Sequence, residues 1–122
     1  MISEDTVLEF AASSFNSVWT VELLLMLKRD PNRSWEAGEL IRELRSSQVV
    51  VAGALANLLG AGLVVEQEKG RFQYQTSPGR MEQLVDALEI VYDTKPTAVV
   101  RAIVATSNRK LKLLSDAFRF KE

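Results

Sequence analysis

Between Ser46 and Thr76 the chain reads as a helix that is made to stop, followed by two short strands. Val51, Leu55, Leu58 and Leu59 recur at i, i+4, i+7 and i+8, which sets one apolar stripe toward a core. Gly60-Ala61-Gly62 ends the run. Gly62 stands where the chain must leave the helix, because glycine takes the left-handed conformation without a Cβ clash. Leu63–Glu68 and Arg71–Thr76 then flank a two-residue turn, Lys69-Gly70, the usual signature of a hairpin. Phe72 and Tyr74 alternate with Arg71, Gln73 and Gln75, so one face of that hairpin is expected to pack and the other to be wet.

The flanks supply more helices. Ser3 precedes Glu4 and Asp5, a cap with acids in the first turn, and a short helix is expected to about Ala12. Asn16 or Ser17 can cap the next, Val18 to Arg29, whose predicted inner face is Trp19, Leu23, Met26 and Leu27. Asp30-Pro31-Asn32 ends it, since the residue before proline is pushed out of the helical region. Arg33-Ser34-Trp35 is the length of a single bridging strand. Ala37 to Arg45 is helical with Leu40, Ile41 and Leu44 inward, and the short break Arg45-Ser46-Ser47 joins it to the central helix as a helix-turn-helix pair. Ser77-Pro78 predicts another start, a capping serine with proline at the first helical position. The helix that follows carries Met81, Leu84, Val85, Leu88, Val91 and Tyr92 at near-heptad spacing. After Thr94-Lys95-Pro96 a helix is expected to Thr106, a kink at Ser107-Asn108, and a last helix from Arg109 to about Phe118.

Val51, Leu55 and Leu58, followed by Ala61-Gly62-Leu63-Val64, resemble the end of the recognition helix and the start of the wing in winged-helix regulators of the MarR-like and related families. The resemblance covers roughly Val18 to Thr76. It implies a mainly α fold with a small β-hairpin wing: a winged helix-turn-helix with an N-terminal helix and a C-terminal helical extension. Residues 1–122 are then one domain, with a winged-helix core at about 17–77 and a helical region at about 78–122. Flanking helices in those families commonly make a homodimer. Met81, Leu84, Val85, Leu88 and Tyr92 are the expected seam.

The function implied is that of a DNA-binding transcriptional regulator. Base reading needs hydrogen-bonding tips, and Ser46, Ser47, Gln48 and Asn57 are the candidates. Phosphate neutralisation needs cations, for which Arg45, Lys69 and Arg71 are available; Lys69 and Arg71 also read simply as polar residues of a hairpin. The alternative is a winged-helix module that has lost DNA reading and binds another protein. Val49, Gly53, Ala56 and Gly60, at i, i+4, i+7 and i+11, form a smooth stripe where a DNA-reading helix would carry polar groups. Gly53 inside a helix costs about 1 kcal/mol relative to alanine. Either another helix, in this chain, a second subunit or a partner, approaches closely there, or the glycine is merely tolerated.

Composition narrows the chemistry. The 122 residues include no cysteine and no histidine, so disulfides and zinc–thiolate sites are excluded and the commonest general base is missing. No Gly-x-Ser-x-Gly elbow, phosphate-binding glycine loop or Ser-x-x-Lys motif occurs, and no enzyme and no cofactor are expected. No run of about 18 uncharged apolar residues spans a bilayer. The first residues are acidic rather than basic, which predicts a cytoplasmic protein. The net charge of −1 hides a division. Residues 1–94 hold 8 Lys/Arg against 14 Asp/Glu, a net of −6, while residues 95–122 hold 7 against 2, a net of +5. Arg109, Lys110, Lys112, Arg119 and Lys121 therefore make a basic segment with three readings: a solvated face, a partner for phosphate or for an acidic surface such as a second subunit's body, or, with Leu111, Leu113, Leu114, Phe118 and Phe120, a membrane-surface helix.

Overall fold

The structure, a computed structural model, describes residues 2–119, with side chains through Arg109. It is mainly helical with one small antiparallel sheet. In chain order the elements are α1 (Glu4–Ser14), α2 (Val18–Arg29), β1 (Trp35–Glu36), α3 (Ala37–Leu44), α4 (Gln48–Gly60), β2 (Val64–Glu66), β3 (Arg71–Tyr74), α5 (Arg80–Thr94) and α6 (Pro96–Arg119).

Serine hydroxyls start three of the helices. Ser3, Ser17 and Ser47 each accept from the amide three residues on, satisfying a donor that the first helical turn leaves open. The strands are shorter than the apolar pattern indicates, and β1 lies beside β3 rather than β2, giving the order β1-β3-β2. Trp35 faces Phe72 and Glu36 faces Arg71 across one ladder, and Val64 faces Tyr74 across the other. The connection between β2 and β3 is not a two-residue turn. Arg71 N–H donates to the Glu68 carbonyl (2.9 Å), Gln67 N–H donates to the Arg71 carbonyl (3.0 Å), and Gly70 has φ 85°: a three-residue loop closed by a left-handed glycine.

Three further expectations are corrected. α5 begins at Arg80, not at Pro78, because Gly79 adopts φ 95° and sets the helix off two residues later. α6 is unbroken through Ser107-Asn108: neither residue is proline or glycine, and the modest helical penalty of serine and asparagine does not stop a 24-residue helix. On α2, Val21, Leu24 and Leu25 are buried together with Leu23 and Leu27, while Trp19 stands 42% exposed. α4, α3 and β3 all pack on α2, so its buried arc is wider than one stripe and turned away from Trp19.

One core joins the parts. α1 lies along α6 and α5, α2 and α3 lie against α4, and β2 follows α4. Leu23, Leu24, Leu40, Leu58, Leu63, Leu88 and Ile103 are all essentially inaccessible in it. Ion pairs fasten the rim: Lys28 Nζ to Glu89 (2.7 Å) and Asp86 (3.1 Å), and Lys95 Nζ to Glu4 (2.8 Å). Burial pulls the Lys28 ammonium down, but its bonds to Glu89 and Asp86 outweigh this and hold it above the usual lysine value.

Candidate nucleic-acid interface

α4 is fixed at both ends by local backbone chemistry. Ahead of it, Arg45 N–H donates to the Arg42 carbonyl and Ser46 N–H to the Ile41 carbonyl, the paired bonds that close a helix on a left-handed residue. That residue is Arg45, at φ 53°, the one non-glycine residue with positive φ among those described. The Ser47 hydroxyl then accepts from Val50 N–H (3.2 Å) and opens α4. At the far end Gly62 (φ 76°) donates to the Leu59 carbonyl and Leu63 to the Leu58 carbonyl, with Leu58 and Leu63 both fully buried beneath the turn. The same closure therefore brackets α4 twice, once with glycine and once with arginine.

The candidate side chains divide. Arg45, Gln48 and Lys69 are exposed, and Ser46 is half-buried. Arg45 and Lys69 join none of the ion pairs among the described residues. Ser47 is engaged as the cap. Asn57 is not a base-reading group: its Oδ1 accepts from Asn16 N–H (2.7 Å) and its Nδ2 donates to the Ser14 carbonyl (2.8 Å), clamping α4 to the α1–α2 corner. Arg71 is not a wing-tip cation either. Its Nε donates to Ser34 Oγ (3.0 Å), and its two terminal nitrogens donate to the Ser34 carbonyl (3.1 Å) and Glu36 Oε1 (2.9 Å), so the guanidinium ties β3 to β1. At the hairpin tip the Glu66 carboxylate accepts from Gly70 N–H (2.8 Å), which leaves Lys69 in acidic company with Glu66 and Glu68.

The outer face of α4 carries no charge. Gln48, Val49, Ala52, Gly53, Ala56, Leu59 and Gly60 are exposed, Val49 to 82%. Nothing lies within 4 Å of a Cβ built on Gly53 or Gly60, so among the described residues no helix packs closely on these two positions of the Val49–Gly53–Ala56–Gly60 stripe. The expected dimer seam is also revised. Val85 and Leu88 are 0% exposed inside the single chain, and Met81, Leu84, Val91 and Tyr92 pack against the same core. Its heptad spacing is that of a helix lying on its own domain.

Other polar contacts are added by the structure, one of them between partners 70 residues apart and the rest within a few residues of one another. The Tyr92 hydroxyl donates to Glu22 Oε1 (2.6 Å), and burial, reinforced by that bond and by the Glu22 charge, pushes the phenol up to about 12. The Arg33 guanidinium lies 3.4 Å over the Trp35 ring and pairs with Glu39 (3.0 Å). A backbone bond from Glu36, then Arg33, holds the Glu39 carboxyl below its usual value. Arg42, on α3 one turn before Arg45, is a further exposed cation ahead of α4. Among the described residues no three carboxylates gather to hold a metal ion, and no single helix is long and apolar enough to cross a membrane. Compared with models of protein families, with curated proteins and with solved structures, the chain matches none.

Proposed function

We propose that α2 through β3 form a winged helix-turn-helix unit like that of the MarR-like and related regulators, and that the protein is a DNA-binding transcriptional regulator acting as a homodimer. The observation that carries this reading is Arg45. A left-handed position closing a helix favours glycine, and a side chain there costs about 1 kcal/mol. An exposed arginine kept at that cost, immediately ahead of the capped start of α4, is suited to a phosphate near a helix N-terminus. Lys69 offers a second contact, and Gln48 is the exposed group on α4 able to read a base edge. With Asn57 and Arg71 engaged elsewhere, phosphate contacts carry most of the affinity and sequence selection is shallow.

A second reading, a module that docks another protein through α4, is favoured by the uncharged outer face of that helix. Binding to mixed genomic fragments across a salt series separates the two. A regulator retains fragments at low salt and releases them steeply as salt rises. Arg45→Gly makes the test sharper, because stability and binding should move apart: the fold gains about 1 kcal/mol, while DNA affinity falls for all sequences and the salt slope decreases by about one. No retention at low salt, or a glycine variant that binds as the parent does, overturns the DNA reading.

A further inference from the structure

The chain carries both a basic segment, from Arg109 onward, and a cleft lined by acidic side chains. Two clefts, of about 580 and 550 Å³, share Glu22 and Arg29 and run together along α2, between α3 on one side and α5 on the other. Trp19, 42% exposed, lines the first and Ile90, 65% exposed, the second, so each cleft carries one large exposed apolar side chain. Glu22, Glu43, Glu89 and Asp93 line them beside one lining guanidinium, Arg29. Glu89 is already paired with Lys28 and Glu22 accepts from Tyr92, which leaves Glu43 and Asp93 as the exposed carboxylates without such a partner among the described residues. Such a trough, lined by exposed apolar and anionic side chains, suits a helix that alternates cations with large apolar residues. Residues 109–121 have that sequence: Leu111, Leu114 and Phe118 recur at i, i+3 and i+7, with Arg109, Lys110, Lys112, Arg119 and Lys121 among and beyond them.

The geometry points to a contact between copies: the basic segment from Arg109 onward of one chain docks in the α2–α5 cleft, between Trp19 and Ile90, of a second copy. The same chain cannot supply it at the Tyr92–Asp93 end. α6 starts at Pro96, two residues after α5 ends at Thr94, and runs as one helix to Arg119. At about 1.5 Å per residue it carries Arg109 roughly 20 Å and Arg119 roughly 35 Å from that end. No glycine or proline after Pro96 offers a hinge for folding back. Exchange of the segment between two copies meets each acidic cleft with the other chain's cations, which closes the contact as a two-fold pair.

Sedimentation equilibrium of the full chain, without nucleic acid, tests this. The parent should self-associate at about 20 mM salt and loosen as salt rises to about 500 mM. Asp93→Lys with Glu43→Lys reverses two exposed cleft charges, and Lys110→Glu with Lys112→Glu reverses the segment. Each pair alone should weaken association roughly tenfold or more, and mixing the two variants in equal amounts should restore it, since each cleft then meets its opposite charge. A parent that is monomeric at low salt, association indifferent to either reversal, or a mixture that stays apart overturns the proposal. Altered melting with unchanged mass, the sign of docking within one chain, does so as well. These outcomes are independent of whether the protein binds DNA.

Discussion

α4 and α5 rest on the same core and are fastened to it by opposite chemistry. α4 buries Val51, Ala54, Leu55 and Leu58, and α5 buries Val85 and Leu88. α4 has no charged residue in its 13, and its polar fastenings are neutral: a serine cap, an asparagine clamp and a glycine turn. α5 is fastened through ionisable groups, Glu89 and Asp86 to Lys28 and Tyr92 to Glu22. Neutral fastenings do not change with pH in the ordinary range and respond little to salt, whereas charged ones respond to both. The two helices consequently show solvent different surfaces, one smooth and uncharged, the other acidic. If α4 meets DNA, the binding energy must come from the residues at its margins.

The largest effect expected from breaking this contrast is at the clamp. Asn57→Ala removes both bonds to the α1–α2 corner, one from the exposed Asn16 N–H and one to the part-buried Ser14 carbonyl, for a loss of about 1.5 kcal/mol. The loss, read from urea unfolding, should be the same at low and high salt and across neutral pH. A loss that varied with salt would show that α4 is held by charge after all.

Tyr92→Phe should cost less, about 1 kcal/mol at neutral pH, and its effect should depend on pH. The phenol's ordinary value of 10.0 is raised to about 12 in the fold, so its contribution is complete below pH 10 and is lost as pH rises through 12. In that window the unfolded chain releases the proton first and stability falls. The phenylalanine variant should lack that part of the fall, so parent and variant converge as pH approaches 12. Parallel curves for the two across pH 10–12 would remove Tyr92 as an ionisable fastening of α5.

The smallest effect is on the smooth face. Gly53→Ala meets nothing within 4 Å and restricts the unfolded chain, so it should stabilise the fold by about 0.7 kcal/mol without changing the mass of the particle. A destabilised or dissociated variant would mean that another chain rests against Gly53.

Much of the architecture was legible because its causes are local. Ser47 capping α4 and Gly62 ending it follow from hydrogen-bond arithmetic within a few residues. The burial of Val51, Leu55 and Leu58 follows from their spacing, while Leu59 of the same expected stripe stands 37% exposed. The early start expected at Ser77-Pro78 failed for a local reason as well, since Gly79 next door takes a positive φ that a start signal alone does not foresee. Trp19 failed for a different reason. Hydrophobicity marks a residue as fit to be buried, but neighbours on three sides of α2 decided which arc of it was.

The candidate site was less legible than the fold. Composition and spacing alone put a helix, a glycine stop and a hairpin into this chain, along with an acidic body and a basic segment, because these depend on backbone preference and on charge. Only the tertiary structure decided which polar groups remain available. Asn57 and Arg71 look like contacts for a ligand until Ser14 and Asn16, or Ser34 and Glu36, arrive beside them from about 40 residues away. Arg45 looks like any arginine until its φ of 53° is known. Hydrogen bonds across such separations are set by packing, and packing is where a one-dimensional pattern has nothing to say.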